Sequence, residues 1–358
     1  MDILFLSERS LAVLDHAYAT DDFEIVLDAL VPQKSTFNIN KKNINAGIGD
    51  YLAVKDRNYF YIGIIAAIDE DKKATLKVST RDFLSKFDVK VPVSSFDGNI
   101  SQFLINLINN HFKYSGDPSQ NLPYLVTEIE CSRSGALSYE DDETANIIDL
   151  AEEFSKTYGI RLAYELVIAN GAITNIRVKA VSVAKGVKLR SDLGTITNLV
   201  ISDTNEASAN KITYYPKSDN AVYRATISYY LYNDGTVSTV AASDKRITPV
   251  VFKSEKYSDN DYPSLLTKAT SALIDSSLEH SITFDFAYSI NKIEALNDLS
   301  LGTYVEFVSP KKTYSTLITK ITYKGTFNAA SLVLGEYRAT LTDKLKLLNR
   351  KEKQHGTN

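Results

Sequence analysis

The chain has 358 residues, 44% of them apolar and 23% charged, with a formal net charge of −4 and a pI near 5.7. This length exceeds what one hydrophobic core usually organises, so two to four compact units are expected, and the ordinary composition excludes an extended disordered chain. No apolar run is long enough to span a bilayer, and the acidic balance excludes global attraction to nucleic acid or an anionic membrane.

Residues 1–9 are only briefly apolar and lack a basic leading region, which predicts synthesis and folding in a cytoplasm. Cys131 is the single cysteine, so it is expected to be a buried, inert thiol rather than part of a disulfide or metal cluster. Tyrosine occurs 22 times and tryptophan never, a usage that suits half-exposed pleated surfaces. A mainly β, α+β chain follows.

Residues 3–30 hold short apolar runs, among them Phe23-Glu24-Ile25-Val26-Leu27, and read as strands. Residues 51–54, a polar turn at Asp56-Arg57-Asn58, the apolar run 59–68, the charged turn Asp69-Glu70-Asp71-Lys72-Lys73 and residues 74–78 form a three-stranded meander, the unit of an antiparallel barrel. After Pro92 the period changes. Ile100, Phe103, Leu104, Leu107, Ile108 and Phe112 recur at helical spacing behind Asn99 and Gln102, a capping pair, and predict a helix over 99–112. A second helix is predicted over 143–158, with Ile147, Leu150, Ala151, Phe154 and Tyr158 on one face and Gly159 as its stop. Strands 161–168 and 172–181 flank Asn170-Gly171, a strong hairpin signal.

Strands return at 195–202, 211–215 and in the hairpin 222–232 with 236–241 around Asn233-Asp234-Gly235. A third helix starts at Pro263 and should carry Leu266, Ala269, Leu273 and Ile274 inward. The last sheet reads 304–308, a turn at Ser309-Pro310-Lys311-Lys312, 313–323 and 331–334. Beyond it, Arg338, Lys344, Lys346, Arg350, Lys351 and Lys353 outnumber Asp343 and Glu352, which predicts a solvated basic tail.

Residues 49–68 lie over 302–321 without a gap, at a constant offset of 253. Gly49 meets Gly302, Tyr51 meets Tyr304, Tyr61 meets Tyr314, Ile65 meets Ile318 and Ile68 meets Ile321. Apolar positions match between any two meanders that share a period of two, but a glycine and two tyrosines do not come from periodicity alone. The expectation is two similar antiparallel β-barrel domains with α/β and helical elements inserted. The boundaries read as 1–92 for the first barrel, 93–185 for an α/β insertion, 186–250 with 281–345 for the second barrel, 251–280 for a helical insertion and 346–358 for the tail. Three copies around an axis would present six barrels, so a homotrimer with a pseudo-sixfold surface is inferred.

The two meanders, the helix and hairpin at 143–181, the segments 197–201 and 210–215, and the ending Leu334-Gly335-Glu336-Tyr337-Arg338 with 341–345 resemble the hub proteins of phage baseplates and tail tips. That group includes the tail-associated proteins of long-tailed phages of Gram-positive bacteria, and the resemblance covers most of the chain through strand grammar rather than chemistry. It implies a trimeric pseudo-sixfold ring in the virion tail. Such a ring joins the tail tube to the tip and gates a channel for DNA and the tape-measure protein. Implied partners are a distal tail protein or tail tube ring, the tape-measure protein and tail fibre or receptor-binding proteins, with DNA only in passage and no stable membrane association. Many relatives continue into a wall hydrolase or fibre, whereas this sequence ends at Asn358.

No catalytic, cofactor-binding or metal-binding residue is assigned and no enzyme activity is expected. His16, His111, His280 and His355 are scattered and none belongs to a zinc-type pair. Asp141, Asp142 and Glu143 could be a general acid–base or Ca²⁺ set, but they stand where a helix N-terminus favours negative charge. Ser132-Arg133-Ser134-Gly135 lacks the strand-to-helix elbow of a serine hydrolase. Glu128 and Glu130 share a strand face and give the rival reading, a cell-wall or polysaccharide hydrolase. A receptor-binding tail protein using surface tyrosines is the third. Lys72-Lys73 and Lys311-Lys312 are hairpin turns that could meet neighbouring rings or serve solubility.

Overall fold

The computed structural model describes residues 1–335 apart from 29–32, 42, 57, 71–74, 138, 140–141, 183–186, 204–208, 219–221, 233–235, 242–243, 247–249, 278–279, 288–298, 300 and 326–328. The basic tail, Lys72-Lys73, Asp141 and His355 lie outside the described residues.

Six strands close into an antiparallel barrel: β1 (Asp2–Leu6), β2 (Val13–Asp28), β3 (Lys34–Ile39), β4 (Tyr51–Asp56), β5 (Asn58–Glu70) and β6 (Leu76–Asp82). Their order is β1-β4-β5-β6-β3-β2, and β2 pairs back onto β1, which closes the barrel. Ile3, Phe5, Phe23, Ile25, Phe37, Ile39, Leu52, Val54, Tyr61, Ile65 and Val78 fill its interior. On β4 the alternation disappears, because Tyr51 and Ala53 on the outer face are as buried as Leu52 and Val54. Another layer covers them.

That layer comprises β7 (Lys90–Pro92), β8 (Phe96–Asn99), α1 (Ile100–Phe112), β9 (Leu125–Ile129), β10 (Ser134–Leu137), β11 (Thr144–Asn146), α2 (Ile147–Tyr158), β12 (Ile160–Ala169) and β13 (Ala172–Ser182). Both helices appear where the periodicity places them. The α1 cap is Asn99, which accepts from Ser101 N, but Gln102 turns to Asn106 instead of completing a capping box. The α2 start is displaced by four residues. Residues 144–146 pair with β7, Asn146 accepts from the amides of Ile148 and Asp149, and Asp142 and Glu143 therefore lie upstream of the helix rather than in its first turn. Gly159 stops α2 in the left-handed conformation. The Asn170-Gly171 turn has φ of 52° and 78°, the positive values that a tight hairpin turn needs, and joins β12 to β13, with β9 alongside in parallel.

The remaining elements are β14 (Val187–Arg190), β15 (Ile196–Asp203), β16 (Lys211–Pro216), β17 (Ile227–Leu231), β18 (Val237–Ser238), β19 (Phe252–Tyr257), α3 (Leu265–Ser277), β20 (His280–Ala287), β21 (Tyr304–Val308), β22 (Thr313–Lys324) and β23 (Ala329–Gly335). A second sheet runs β14-β21-β22-β23-β20-β15, and no ladder joins β14 to β15 among the described residues. The span 186–250 does not stay together. Strand β16 is paired on both sides, with β17 and β19, so β16–β19 form a separate four-stranded sheet instead of joining β20–β23. Leu265, Ala269 and Leu273 of α3 cover Ile212, Tyr214, Tyr229 and Leu231 of that sheet. Leu266 points to solvent at 52% exposure, because the buried stripe runs through Leu265, Ala269 and Leu273 and Leu266 lies about 100° around the helix from Leu265. The side chain of Ile274 lies outside the described residues.

Candidate functional site: the repeated hairpins and their junctions

The β4–β5 and β21–β22 hairpins share their register over four consecutive pairs and part after Val54, where only β4–β5 carries a bulge. Tyr51, Leu52, Ala53 and Val54 oppose Ile64, Gly63, Ile62 and Tyr61; Tyr304, Val305, Glu306 and Phe307 oppose Leu317, Thr316, Ser315 and Tyr314. Every pair is related by the offset of 253. The entry turns also coincide. Gly49 N donates to Ile65 O at 2.9 Å and Ile65 N to Asp50 O at 2.8 Å; Gly302 N donates to Ile318 O at 2.7 Å and Ile318 N to Thr303 O at 3.0 Å. Both glycines hold positive φ, 98° and 76°, which is the physical reason glycine occupies that position twice.

The likeness continues beyond the aligned segment. A bulge between Ile65 and Ala67 against β6 recurs between Ile318 and Lys320 against β23. Ile65 opposes Thr80 and Ile318 opposes Leu334, so the third strand is displaced by one further residue. Val78 opposes Phe37 on β3, and Leu332 opposes Phe284 on β20. The register thus assigns β3 to β20, β2 to β15 and β1 to β14. The last pair departs from the pattern, since β14 runs parallel to β21 while β1 runs antiparallel to β4.

One strand joins the two sheets. The C-terminal half of β2 pairs antiparallel with β22, from Glu24 opposite Lys324 to Asp28 opposite Lys320, and Lys324 Nζ lies 3.1 Å from Glu24 Oε1. Nothing local in the sequence marks this seam.

Two hydroxyl bridges fasten the first barrel to the helical layer. Tyr51 and Tyr124 meet hydroxyl to hydroxyl at 2.7 Å, and Tyr124 donates to Glu8 O at 2.7 Å. Burial pushes both phenols up, so both remain neutral donors. Tyr164 on β12 donates to Asp82 Oδ2 at 3.0 Å and accepts from Ile62 N at 3.3 Å, while Asp82 Oδ1 accepts from Leu84 N at 2.9 Å. Burial dominates at Asp82 and raises its pKa to about 6, against smaller opposing contributions from the Leu84 amide and the Tyr164 hydroxyl. A third contact joins the helical layer to the second sheet: Arg161 Cδ would lie 2.8 Å from a Cβ on Gly302. Burial lowers the Arg161 pKa, opposed by the charge of Glu130.

The rival catalytic carboxylates are spent in ion pairs. Arg177 bridges Glu128 at 3.4 Å and Glu165 at 2.6 Å; Lys179 bridges Glu130 at 2.7 Å and Glu165 at 2.8 Å. Lys179 holds Glu165, the carboxylate shared between the two pairs, below the ordinary carboxylate range. His16 lies on β2, His111 in the last turn of α1 and His280 at the start of β20, and no cluster of metal-ligating side chains occurs among the described residues. Cys131 is buried, with Sγ 3.6 Å from Ser101 Oγ and from Ala180 O. Lys312 Nζ lies 4.7 Å from the centre of the Tyr314 ring. Among the described residues, no helix is long and apolar enough to cross a membrane.

Solved structures reproduce this arrangement of strands. The prophage tail protein gp18 of Listeria monocytogenes matches with a TM-score of 0.57 at 13% identity, covering 98% of this chain and 99% of that one. Its fold is that of phage tail and baseplate structural proteins. A tail protein of Neisseria meningitidis matches at 0.54 and 12% identity over 94% and 95% of the two chains, and a chain of the phage P2 baseplate in its activated conformation at 0.50 and 11% over 95% and 100%. No family model and no curated protein matches the sequence. The tail-protein fold is therefore carried by strand order and register.

Proposed function

We propose that this chain is the structural hub of a phage or prophage tail tip or baseplate, a homotrimer whose six barrel units form a ring between tail tube and tip. The observation that carries it is the pair of hairpins that share four consecutive register pairs, their entry-turn hydrogen bonds and a following bulge at a sequence separation of 253. Two like units in one chain let a threefold assembly meet a sixfold tube with nearly equal contacts.

In this reading residues 1–92 form the first tube-type unit and 93–185 the layer fastened to it. Strands at 187–203 and 280–335 form the second unit, with the sheet and helix at 211–277 inserted. Partners are a distal tail protein or tail tube ring above and the tape-measure protein and DNA in passage. Opening would separate the layers held by Tyr124 and Tyr164. The role needs no bond-making chemistry, consistent with Glu128 and Glu130 being held by Arg177 and Lys179.

Light scattering on the full chain tests this directly. The expected mass is three times the 39.8 kDa chain, and six lobes are expected in projection down the axis. A stable monomer at micromolar concentration, or clearing of Gram-positive walls in a zymogram that Glu128→Gln abolishes, would overturn it.

A further inference from the structure

The two halves of the repeat are unequally covered, and the difference identifies a vacant strand edge. On β22 the residues after Ile318 are flanked by β23 on one side and by β2 on the other. Among the described residues, their counterparts on β5, the residues after Ile65, are flanked by β6 only, because the β4 ladder ends where Tyr51 meets Ile64. Burial follows. Ile321 and Thr322 are 2% and 8% exposed beneath β2, whereas their counterparts Ile68 and Asp69 are half-buried and exposed.

A second open edge belongs to the strand that corresponds to β2. Glu24 opposes Thr36 on β3, and Val200 opposes Thr283 on β20; since Thr36 corresponds to Thr283, residues 24–27 correspond to 200–203. Both strands carry a register shift just before this point, between Ala19 and Phe23 and between Thr197 and Val200. Yet β15 ends its sheet with one neighbour only among the described residues. Ile25 and Val26 are buried against β22, while Ile201 and Ser202 are half-buried and Val200 is 61% exposed.

We infer that these two edges fill each other between chains: β15 of one copy pairs antiparallel with the C-terminal half of β5 in the next, repeating between copies the β2–β22 seam made within one. Carrying the observed seam across by the two correspondences sets Ile201 opposite Glu70, Ser202 opposite Asp69 and Asp203 opposite Ile68. The occupant is a second copy of this chain because the strand that fills the corresponding edge is this chain's own β2. Each copy offers one β5 edge and one β15 edge, so the contact is head-to-tail, the kind that three copies around an axis require, and unpaired strand edges of this kind are satisfied by strand addition. The inference rests on the trimeric reading above and adds its seam.

Directly opposed residues of an antiparallel pair lie about 4.5–5.5 Å apart at Cα, within disulfide reach. The test uses the full chain with Asp69→Cys and Ser202→Cys, both outside the buried core, under mild copper-phenanthroline oxidation. A mixture of the two single variants is expected to give a disulfide-linked dimer that neither gives alone, and the double variant a covalent trimer. Pairing Asp69→Cys with Thr197→Cys should give neither. A trimeric mass by light scattering without the Asp69–Ser202 link would overturn the seam and leave the trimer standing; a monomer without the link would overturn both. Linkage of the Asp69→Cys variant to itself would reveal a twofold contact and would also overturn the seam.

Discussion

Replacing Asp82 by Asn should make the protein more stable at neutral pH. Asp82 ends β6 with its carboxyl between the Leu84 amide and the Tyr164 hydroxyl, and the other titratable group acting with it is Tyr61. Its pKa rises from 3.8 in the unfolded chain to about 6 in the fold. The folded state therefore binds more protons than the unfolded chain across that window, so the penalty is absent below about pH 4, grows as pH rises and is complete above about pH 6. At 1.36 kcal/mol per unit the full shift corresponds to about 3 kcal/mol, and the partial exposure of Asp82 reduces this to about 1–2 kcal/mol. Asn keeps an acceptor for Leu84 N and offers its amide to the Tyr164 oxygen. Urea denaturation of both proteins at about pH 4 and about pH 7.5 isolates the site, because titrations elsewhere cancel in the difference between them. The variant should gain stability only at the higher pH. Equal differences at the two pH values, or a loss at about pH 7.5, would refute a raised pKa at this position.

Gly302→Ala should destabilise more than Gly49→Ala: both force a residue with Cβ to positive φ, at about 1 kcal/mol, but only at Gly302 does the new methyl meet Arg161 Cδ. Thermal melts of the two variants compare them directly. Tyr51→Phe should cost about 1 kcal/mol, since the hydroxyl pair with Tyr124 is lost while Tyr124 still donates to Glu8 O, and Tyr51→Ala about 3–5 kcal/mol by denaturant titration. Glu165→Gln breaks an exposed network with Arg177 and Lys179 and should cost under about 1 kcal/mol, a difference that shrinks further in high salt.

Local rules in the sequence determined the hairpins, their register and two helices. A period of two with glycine at a positive-φ turn specifies the Gly49 and Gly302 hairpins, Asn170-Gly171 specifies another, and Asn99 and Gly159 are end signals that need no tertiary partner. Where elements meet was decided only by the tertiary structure. Strand pairing depends on which edge is free, so β16 joins β17 and β19, and the long β2 reaches β22, although the alternation of β16 would suit either sheet. The carboxyl of Asp82 and the guanidinium of Arg161 have perturbed pKa values because distant strands remove water from them, and side-chain identity carries no record of that burial.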